Sequence, residues 1–272
     1  MRIGSLFAGI GGLERGIERA LGGEVIWQVE VDPWCREVLA KHWPSADRSV
    51  TDVRCATRSV LERVDVMCGG FPCQDVSAAG RGAGLSGERS GLWYEYLRLV
   101  RELQPRAVVV ENVASGATRW LVPVRRMLEA CGYRTRAIGL SASDVGAPHL
   151  RRRIFVLALA NAHGFDLRKQ PRRGEREDRQ SAAQSGGAQQ VQRASVEPGL
   201  GRVPHGVPDG LDSHRWPAGQ GEFQYDHEPP RTIEKGQDKE RRKRLKALGN
   251  AVVPQCSYVA GLILRDWMAE SW

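Results

Sequence analysis

The chain has 272 residues and a formal charge of +8, so it can bury a sizeable core and favours a polyanionic partner such as nucleic acid. Its six cysteines include no CxxC pair, which argues against zinc ribbons and fingers and is typical of free thiols in a reducing cytoplasm. Because no apolar run approaches the roughly 18 residues of a membrane span and the N-terminus lacks a signal-peptide layout, we expect no membrane association.

Short apolar runs alternate with longer amphipathic stretches up to about residue 160. The apolar runs are rich in β-branched residues and bounded by turn residues, which predicts buried strands at 3–7, 25–29, 64–67, 107–110 and 154–160. Between them, GGLERGIERAL, GLWYEYLRLVREL and VPVRRMLEAC repeat apolar residues at helical spacing. This alternation predicts an α/β fold, a mostly parallel sheet with helices on both faces.

Residues 161–243 differ in composition from the rest of the chain. Only 18 of these 83 residues are apolar, which is too few for a conventional independent core. We interpret this region as a solvated, partly disordered insertion into a domain formed by residues 1–160 and 244–272. The helical pattern returns from residue 245, and we expect the last helix to pack on the first part of the chain.

The segment FAGIGGLERG, residues 7–16, predicts a strand, a glycine turn and a helix whose free N–H groups point into the turn. A dinucleotide fingerprint would need a third glycine where this chain has Glu14, so an NAD site is disfavoured. Glu30 follows the second strand, where a carboxylate can accept hydrogen bonds from both hydroxyls of a ribose. A ligand with a ribose and no phosphate fits best, such as S-adenosylmethionine; the alternative is a tight turn beside a surface carboxylate.

Three further features follow later strands. Cys73 lies in the loop GGFPCQDVSAAG, which we expect at the ligand-binding edge of the sheet; it is either an activated nucleophile or a structural residue. Glu111 ends the strand AVVVENV and is a candidate general acid or base anchor, or an ordinary helix cap. Arg151 and Arg153 directly precede the last strand, and their planar donors suit a phosphate or a base carbonyl.

Taken in order, FAGIGG, Glu30, FPCQ, ENV, the RxR pair and LGNAVVP resemble the DNA (cytosine-5)-methyltransferases of bacterial or phage type. The resemblance covers about residues 1–160 and 244–272. It implies the Rossmann-like fold of S-adenosylmethionine-dependent methyltransferases, with a small irregular target-recognition region at 161–243. It also implies the following contacts to S-adenosylmethionine: Phe7, Ala8, Gly9, Gly11, Gly12, Leu13, Glu30, Val31, Asp52, Val53, Pro72, Leu92, Asn250, Ala251 and Val252. Asp52, expected after a short third strand, would meet the adenine amino group.

The resemblance also implies a covalent mechanism on a cytosine that has left the duplex. Cys73 would add to C6, Glu111 would donate to N3, Arg153 would hold O2, and Arg151 would support the loop. Further contacts to the substrate would come from Gln74, Ser77, Asn112 and His149. The family usually has glutamine at the position of His149, which weakens the expectation for that contact.

The resemblance implies a cytoplasmic monomer that acts on double-stranded DNA and associates with the nucleoid through it. A restriction endonuclease that acts on the same site, without being bound, would be its functional counterpart. Two other functions stay open at this point. An RNA cytosine methyltransferase would share the catalytic set, and a DNA-binding relative with little catalytic activity would share the fold.

Overall fold

The structure is a computed structural model that describes residues 1–72, 91–161 and 240–270. Within these residues, the strands are β1 (Arg2–Leu6), β2 (Glu24–Val29), β3 (Val66–Gly69), β4 (Ala107–Val113), β5 (Tyr133–Leu140) and β6 (Arg153–Ala160). The α-helices are α1 (Gly12–Leu21), α2 (Pro33–His42), α3 (Leu92–Leu103), α4 (Ala117–Ala130), α5 (Arg241–Asn250) and α6 (Pro254–Glu270).

The strands form one mixed sheet in the order β2-β1-β3-β4-β6-β5. β1 to β4 pair in parallel, whereas β6 is antiparallel to both of its neighbours. The mostly parallel α/β sheet predicted from the sequence is therefore confirmed. Because β6 is reversed, its first residue, Arg153, pairs with Val113 at the end of β4, so the arginines before β6 lie at the carboxyl edge of the parallel strands.

Two details of the strand prediction were wrong. β5 was not predicted, because this edge strand is half exposed and its sequence, YRTRAIGL, contains two arginines instead of a continuous apolar run. The short strand expected before Asp52 is reduced to an isolated parallel bridge between Trp27 and Asp47. The Asp47 carboxylate accepts hydrogen bonds from the backbone amide and the hydroxyl of Ser49. These bonds form a local turn, so the chain leaves the sheet after Asp47.

Helices cover both faces of the sheet. Side chains of α1, α2 and α6 pack with one face, around Ile3, Val109 and Phe155, and side chains of α3 and α4 pack with the other, around Met67 and Val108. Burying both faces explains why β3 and β4 are continuous apolar runs. The C-terminal helix therefore completes the same core as the N-terminal strand.

The helical stretch Arg241–Glu270 is long and apolar enough by composition to cross a membrane. Half of its most apolar window is buried inside the protein, and Ala260, Leu264 and Trp267 belong to the core on the α1 side of the sheet. Packing in the core accounts for the apolar character of α6.

Candidate active site at the carboxyl edge of the sheet

The glycine turn between β1 and α1 has the backbone geometry that its sequence demands. Phe7, Gly9 and Gly11 all have positive φ angles, and a Cβ at Gly11 would collide with the ring of Trp43. The Gly9 amide donates to Oε2 of Glu30 (2.8 Å), and Oε1 of Glu30 accepts from the Asp32 amide (2.8 Å). Glu30 thus links the carboxyl ends of β1 and β2, as expected for a residue that faces a ligand in the turn.

The C-terminal segment closes over the other side of the turn. A Cβ at Gly12 would collide with the carbonyl of Val252, and the Ser257 hydroxyl donates to the Gly12 carbonyl (2.9 Å). Asn250 ends α5, and Ala251 is in an extended conformation before α6. The structure therefore brings Asn250, Ala251 and Val252 beside the glycine turn.

The remaining candidate cofactor residues differ in how far their side chains are exposed. Ala8, Leu13 and Val53 have buried side chains, so their backbone is what a ligand in the turn could contact. Val31 is 69% exposed, while Leu92 packs partly against the core. Asp52 caps the 3₁₀ turn Val53–Cys55 and forms an ion pair with Arg54. The carboxylate that was expected to meet the adenine amino group is therefore already bound to Arg54. Phe7 and Pro72 are partly buried.

Glu111 and Arg153 form the charged centre of the site. Arg153 Nε lies 2.8 Å from Oε1 of Glu111, which is only 6% exposed. Their relative orientation does not meet hydrogen-bond geometry, so Oε1 accepts no hydrogen bond from the described residues. Burial raises the pKa of the Glu111 carboxyl to about 7, against the lowering effects of Arg153 and then Arg151. Glu111 can therefore carry a proton near neutral pH and donate it to a ligand.

The backbone next to Glu111 is shaped to accommodate this carboxyl. A Cβ at Gly70 would lie 2.7 Å from Oε2 of Glu111. Asn112, which is buried, donates from Nδ2 to the Phe71 carbonyl (3.1 Å) and accepts at Oδ1 from the Val113 amide. The ring of Phe71 lies against Trp93 and Trp120. Gly70 and the amide of Asn112 thus fix the chain just before Pro72.

The other predicted substrate and catalytic residues are placed as follows. Cys73, Gln74 and Ser77 lie outside the described residues. His149 is exposed in the loop before β6. Arg151 donates to the backbone carbonyls of Gly249 and Ala251, so its guanidinium contacts the C-terminal segment.

The sequence analysis did not recognise Glu14 as a buried titratable group. Glu14 is fully buried beside the Ser5 hydroxyl and Cys68, and within the described residues neither of its carboxylate oxygens has a hydrogen-bond partner of good geometry. Burial raises its pKa to about 7, with Ser5 opposing the shift and Glu30 and Glu18 adding to it. Helical spacing is the sequence feature that could have identified Glu14 as buried. Glu14 lies three residues before Ile17 and seven before Leu21, on the inner face of α1.

Comparison with known proteins gives a consistent result. The sequence model of a family described as C-5 cytosine-specific DNA methylase matches residues 1–197. Type II methyltransferase M.NgoFVII of Neisseria gonorrhoeae is 31% identical over 173 residues, 61% of this chain and 46% of that protein. Type II methyltransferase M.HhaI of Haemophilus parahaemolyticus is 30% identical over 165 residues, 59% of this chain and 50% of that protein. The chain thus spans about half the length of the curated relatives it matches.

Solved structures show the same architecture. A prophage-encoded E. coli protein described as a DNA modification methyltransferase matches with 28% identity and a TM-score of 0.50, covering 59% of this chain and 47% of that one. Spodoptera frugiperda DNMT2 matches with 21% identity and a TM-score of 0.50, covering 62% and 53%. The second similarity supports the fold alone.

Proposed function

The chain belongs to the C-5 cytosine-specific DNA methylase family, and on that premise we propose that it transfers a methyl group from S-adenosylmethionine to C5 of cytosine in double-stranded DNA. The observation that carries the proposal is the buried Glu111 carboxyl beside Arg153, at the same sheet edge as the glycine turn. Its raised pKa allows Glu111 to hold the proton that a cytosine ring must receive.

The glycine turn fits S-adenosylmethionine on three observations. Glu30 is partly exposed, and each of its oxygens, which accepts one backbone amide, keeps a second lone pair for a ribose hydroxyl. A Cβ added at Gly9 would meet no atom within 4 Å, so the turn leaves space above its backbone. Asn250–Val252 closes the opposite side. When bound, the cofactor supplies an electrophilic methyl group.

Attack of cytosine on a methyl group requires activation, because C5 of the ring is electron-poor. We propose that the Cys73 thiolate adds to C6, which moves the electrons of the C5–C6 double bond through the ring towards N3. Glu111 protonates or donates to N3, and Arg153 holds O2. C5 is then an enamine-like carbon that can accept the methyl group. Loss of the C5 proton to a base and departure of the Cys73 thiolate restore the C5–C6 double bond, and a proton received at N3 returns to Glu111.

An RNA cytosine methyltransferase would use the same groups. The family whose model matches residues 1–197 is described as a DNA methylase, which supports DNA as the substrate. The proposal therefore includes duplex DNA as the partner and residues 161–243 as the region that selects its sequence.

Transfer of tritiated methyl groups to duplex DNA and to tRNA tests the function. We expect label in DNA only, no label with Cys73→Ala, and near wild-type incorporation with Cys131→Ala. Cys131 is a matched control because it follows α4 at the opposite edge of the sheet. DNA that contains 5-fluorocytosine should trap an adduct on Cys73, since fluorine cannot leave as a proton. Labelling of tRNA alone, or turnover by the Cys73 variant, would contradict the proposal.

A further inference from the structure

Arg151 and Arg153 are two residues apart, but their guanidinium groups contact different parts of the molecule. Arg153 Nε approaches Oε1 of Glu111 at 2.8 Å. Arg151 donates from Nε and Nη2 to the Ala251 carbonyl (3.0 and 2.6 Å) and from Nη2 to the Gly249 carbonyl (2.7 Å). Arg153 therefore contacts a carboxylate, whereas Arg151 binds backbone carbonyls.

The carbonyls that Arg151 contacts belong to the end of a helix. Gly249 and Ala251 lie at the C-terminus of α5, where the last carbonyls have no partner within the helix. A guanidinium here satisfies two carbonyl groups at once and complements the negative end of the helix dipole. Among the described residues, no atom lies within 4 Å of a Cβ added at Gly249, so this side of the residue is not packed against them. Arg151 is thus a major contact that fixes the connection between α5 and α6.

This connection lies directly against the glycine turn. The carbonyl of Val252 occupies the space that a Cβ at Gly12 would need, and Ser257, one turn into α6, hydrogen-bonds the Gly12 carbonyl. A shift of residues 249–252 would therefore change the wall of the turn. Arg153, paired with Glu111, makes no comparable contact with this wall in the described part of the chain.

We propose that Arg151 is a positioning residue for the cofactor, which it serves by holding Gly249–Val252 against the glycine turn, while Arg153 serves the base. The inference rests on the proposed function, because it takes the turn to be the S-adenosylmethionine site. Lysine is not equivalent to Arg151, because an ammonium on a flexible stem lacks the rigid planar fork that holds two carbonyls in one fixed geometry.

The test is calorimetric binding of S-adenosylhomocysteine, the demethylated cofactor, to the full-length protein and three variants. Arg151→Lys should bind about tenfold more weakly, the change expected from losing one charge-assisted hydrogen bond. Arg152→Lys, a matched control at the exposed residue between the pair, and Arg153→Lys should both bind within about twofold of wild type. In methyl transfer, Arg151→Lys should mainly raise the KM for the cofactor, and Arg153→Lys should mainly lower kcat.

Thermal unfolding of each variant checks that the fold is retained. If Arg151→Lys lacks a cooperative transition, Arg151→Gln replaces it, with the same expected loss of affinity. Wild-type affinity in a folded Arg151 variant, or equal weakening in the Arg151 and Arg153 variants, would overturn the inference while leaving the proposed function intact. Failure of the wild-type protein to bind S-adenosylhomocysteine would instead overturn the proposed function, and the inference with it.

Discussion

At the scale of single residues, the proton on Glu111 links the geometry of the site to pH. The carboxyl has a pKa of about 7 because it is buried, even though Arg153 and Arg151 favour its charged form. If its proton is donated to the cytosine ring, kcat/KM should fall as the pH rises through about 7, where the carboxyl ionises. Glu111→Gln should lower kcat/KM by at least roughly 100-fold, within the usual contribution of a general acid, and should remove this alkaline limb.

A control for the pH profile comes from Glu14, whose pKa is also about 7. Glu14 is buried behind the glycine turn and has no role in the proposed chemistry. Glu14→Gln should therefore keep the alkaline limb that Glu111→Gln loses. An alkaline limb that survives in Glu111→Gln would show that another group is responsible for it.

Glu14 itself should make stability depend on pH. Its pKa is about 7 in the folded protein, against 4.5 ordinarily, so between these values the folded state binds more protons than the unfolded state. The free energy of unfolding therefore falls as the pH rises from about 4.5 to about 7. Above that range, the full destabilisation by the buried, ionised carboxylate remains. Glu14→Gln removes this cost, so its free energy of unfolding relative to wild type should increase between pH 4.5 and pH 8 by up to roughly 3 kcal/mol.

Urea denaturation of wild type and Glu14→Gln at pH 4.5 and pH 8 measures this difference. The contribution of Glu111 is common to both proteins and cancels. A difference in stability that is the same at the two pH values would mean that Glu14 is not buried in its charged form, or that a donor compensates it.

Sequence patterns predict which residue types the site contains better than they predict contacts. Glu111 was identified because it lies near the end of a strand, and the arginine pair because it directly precedes one. The separate targets of Arg151 and Arg153 were not predictable, because Arg151 binds carbonyls about 100 residues away in the chain. The raised pKa of Glu111 was not predictable either, since the desolvation of its carboxyl depends on packing from several elements. The proposed roles of Cys73, Gln74 and Ser77 stay predictions.

At the scale of secondary-structure elements, the direction of β6 decides where the arginines lie. In a parallel β6 the residues before the strand would lie at the opposite edge of the sheet, far from Glu111. The apolar run IFVLALA predicts the strand but carries no signal for its direction. The direction becomes evident only from pairing with β4 and with β5, the polar edge strand that the sequence analysis missed.

The contact between α1 and α6 depends on glycine. A Cβ at Gly16 would meet Ser257 Oγ and the backbone of Pro254 and Tyr258, so Gly16→Ala must separate the helices or distort one of them. We expect it to lower the free energy of unfolding by about 2 kcal/mol, the usual scale of overpacking. Gly249→Ala is the matched control, because the added methyl group enters open space in α5, and it should be neutral or stabilising by up to about 1 kcal/mol.

Urea unfolding of both glycine variants separates packing from helix propensity. Propensity alone predicts that alanine stabilises at both helical positions. Equal stabilisation by the two substitutions would therefore show that α1 and α6 do not approach as closely as the structure indicates. A lower free energy of unfolding in Gly16→Ala alone would support the close contact between α1 and α6, which also brings Val252 to the glycine turn.

At the scale of the whole molecule, we propose that cofactor binding and sequence recognition belong to different parts of the chain. The sheet, its helices and the contacts described above around the glycine turn lie within residues 1–72, 91–161 and 240–270. Residues 161–243 have a composition that cannot supply an independent core, and we propose that they select the DNA sequence. The low apolar content predicted a boundary near residue 160, where β6 ends, but composition carries no information on which bases such a region contacts.

Replacing residues 162–239 by a flexible linker of about 20 glycine and serine residues tests this division. Such a linker has a root-mean-square span of about 25 Å, and the helices that follow it keep their contacts with α1. We expect the variant to unfold cooperatively and to bind S-adenosylhomocysteine within about threefold of wild type, but to lose site-specific methylation. Sequencing of methylated DNA from cells that express each protein supplies the second measurement. Methylation of the same sites by the linker variant would show that the determinants of sequence lie in the sheet domain instead.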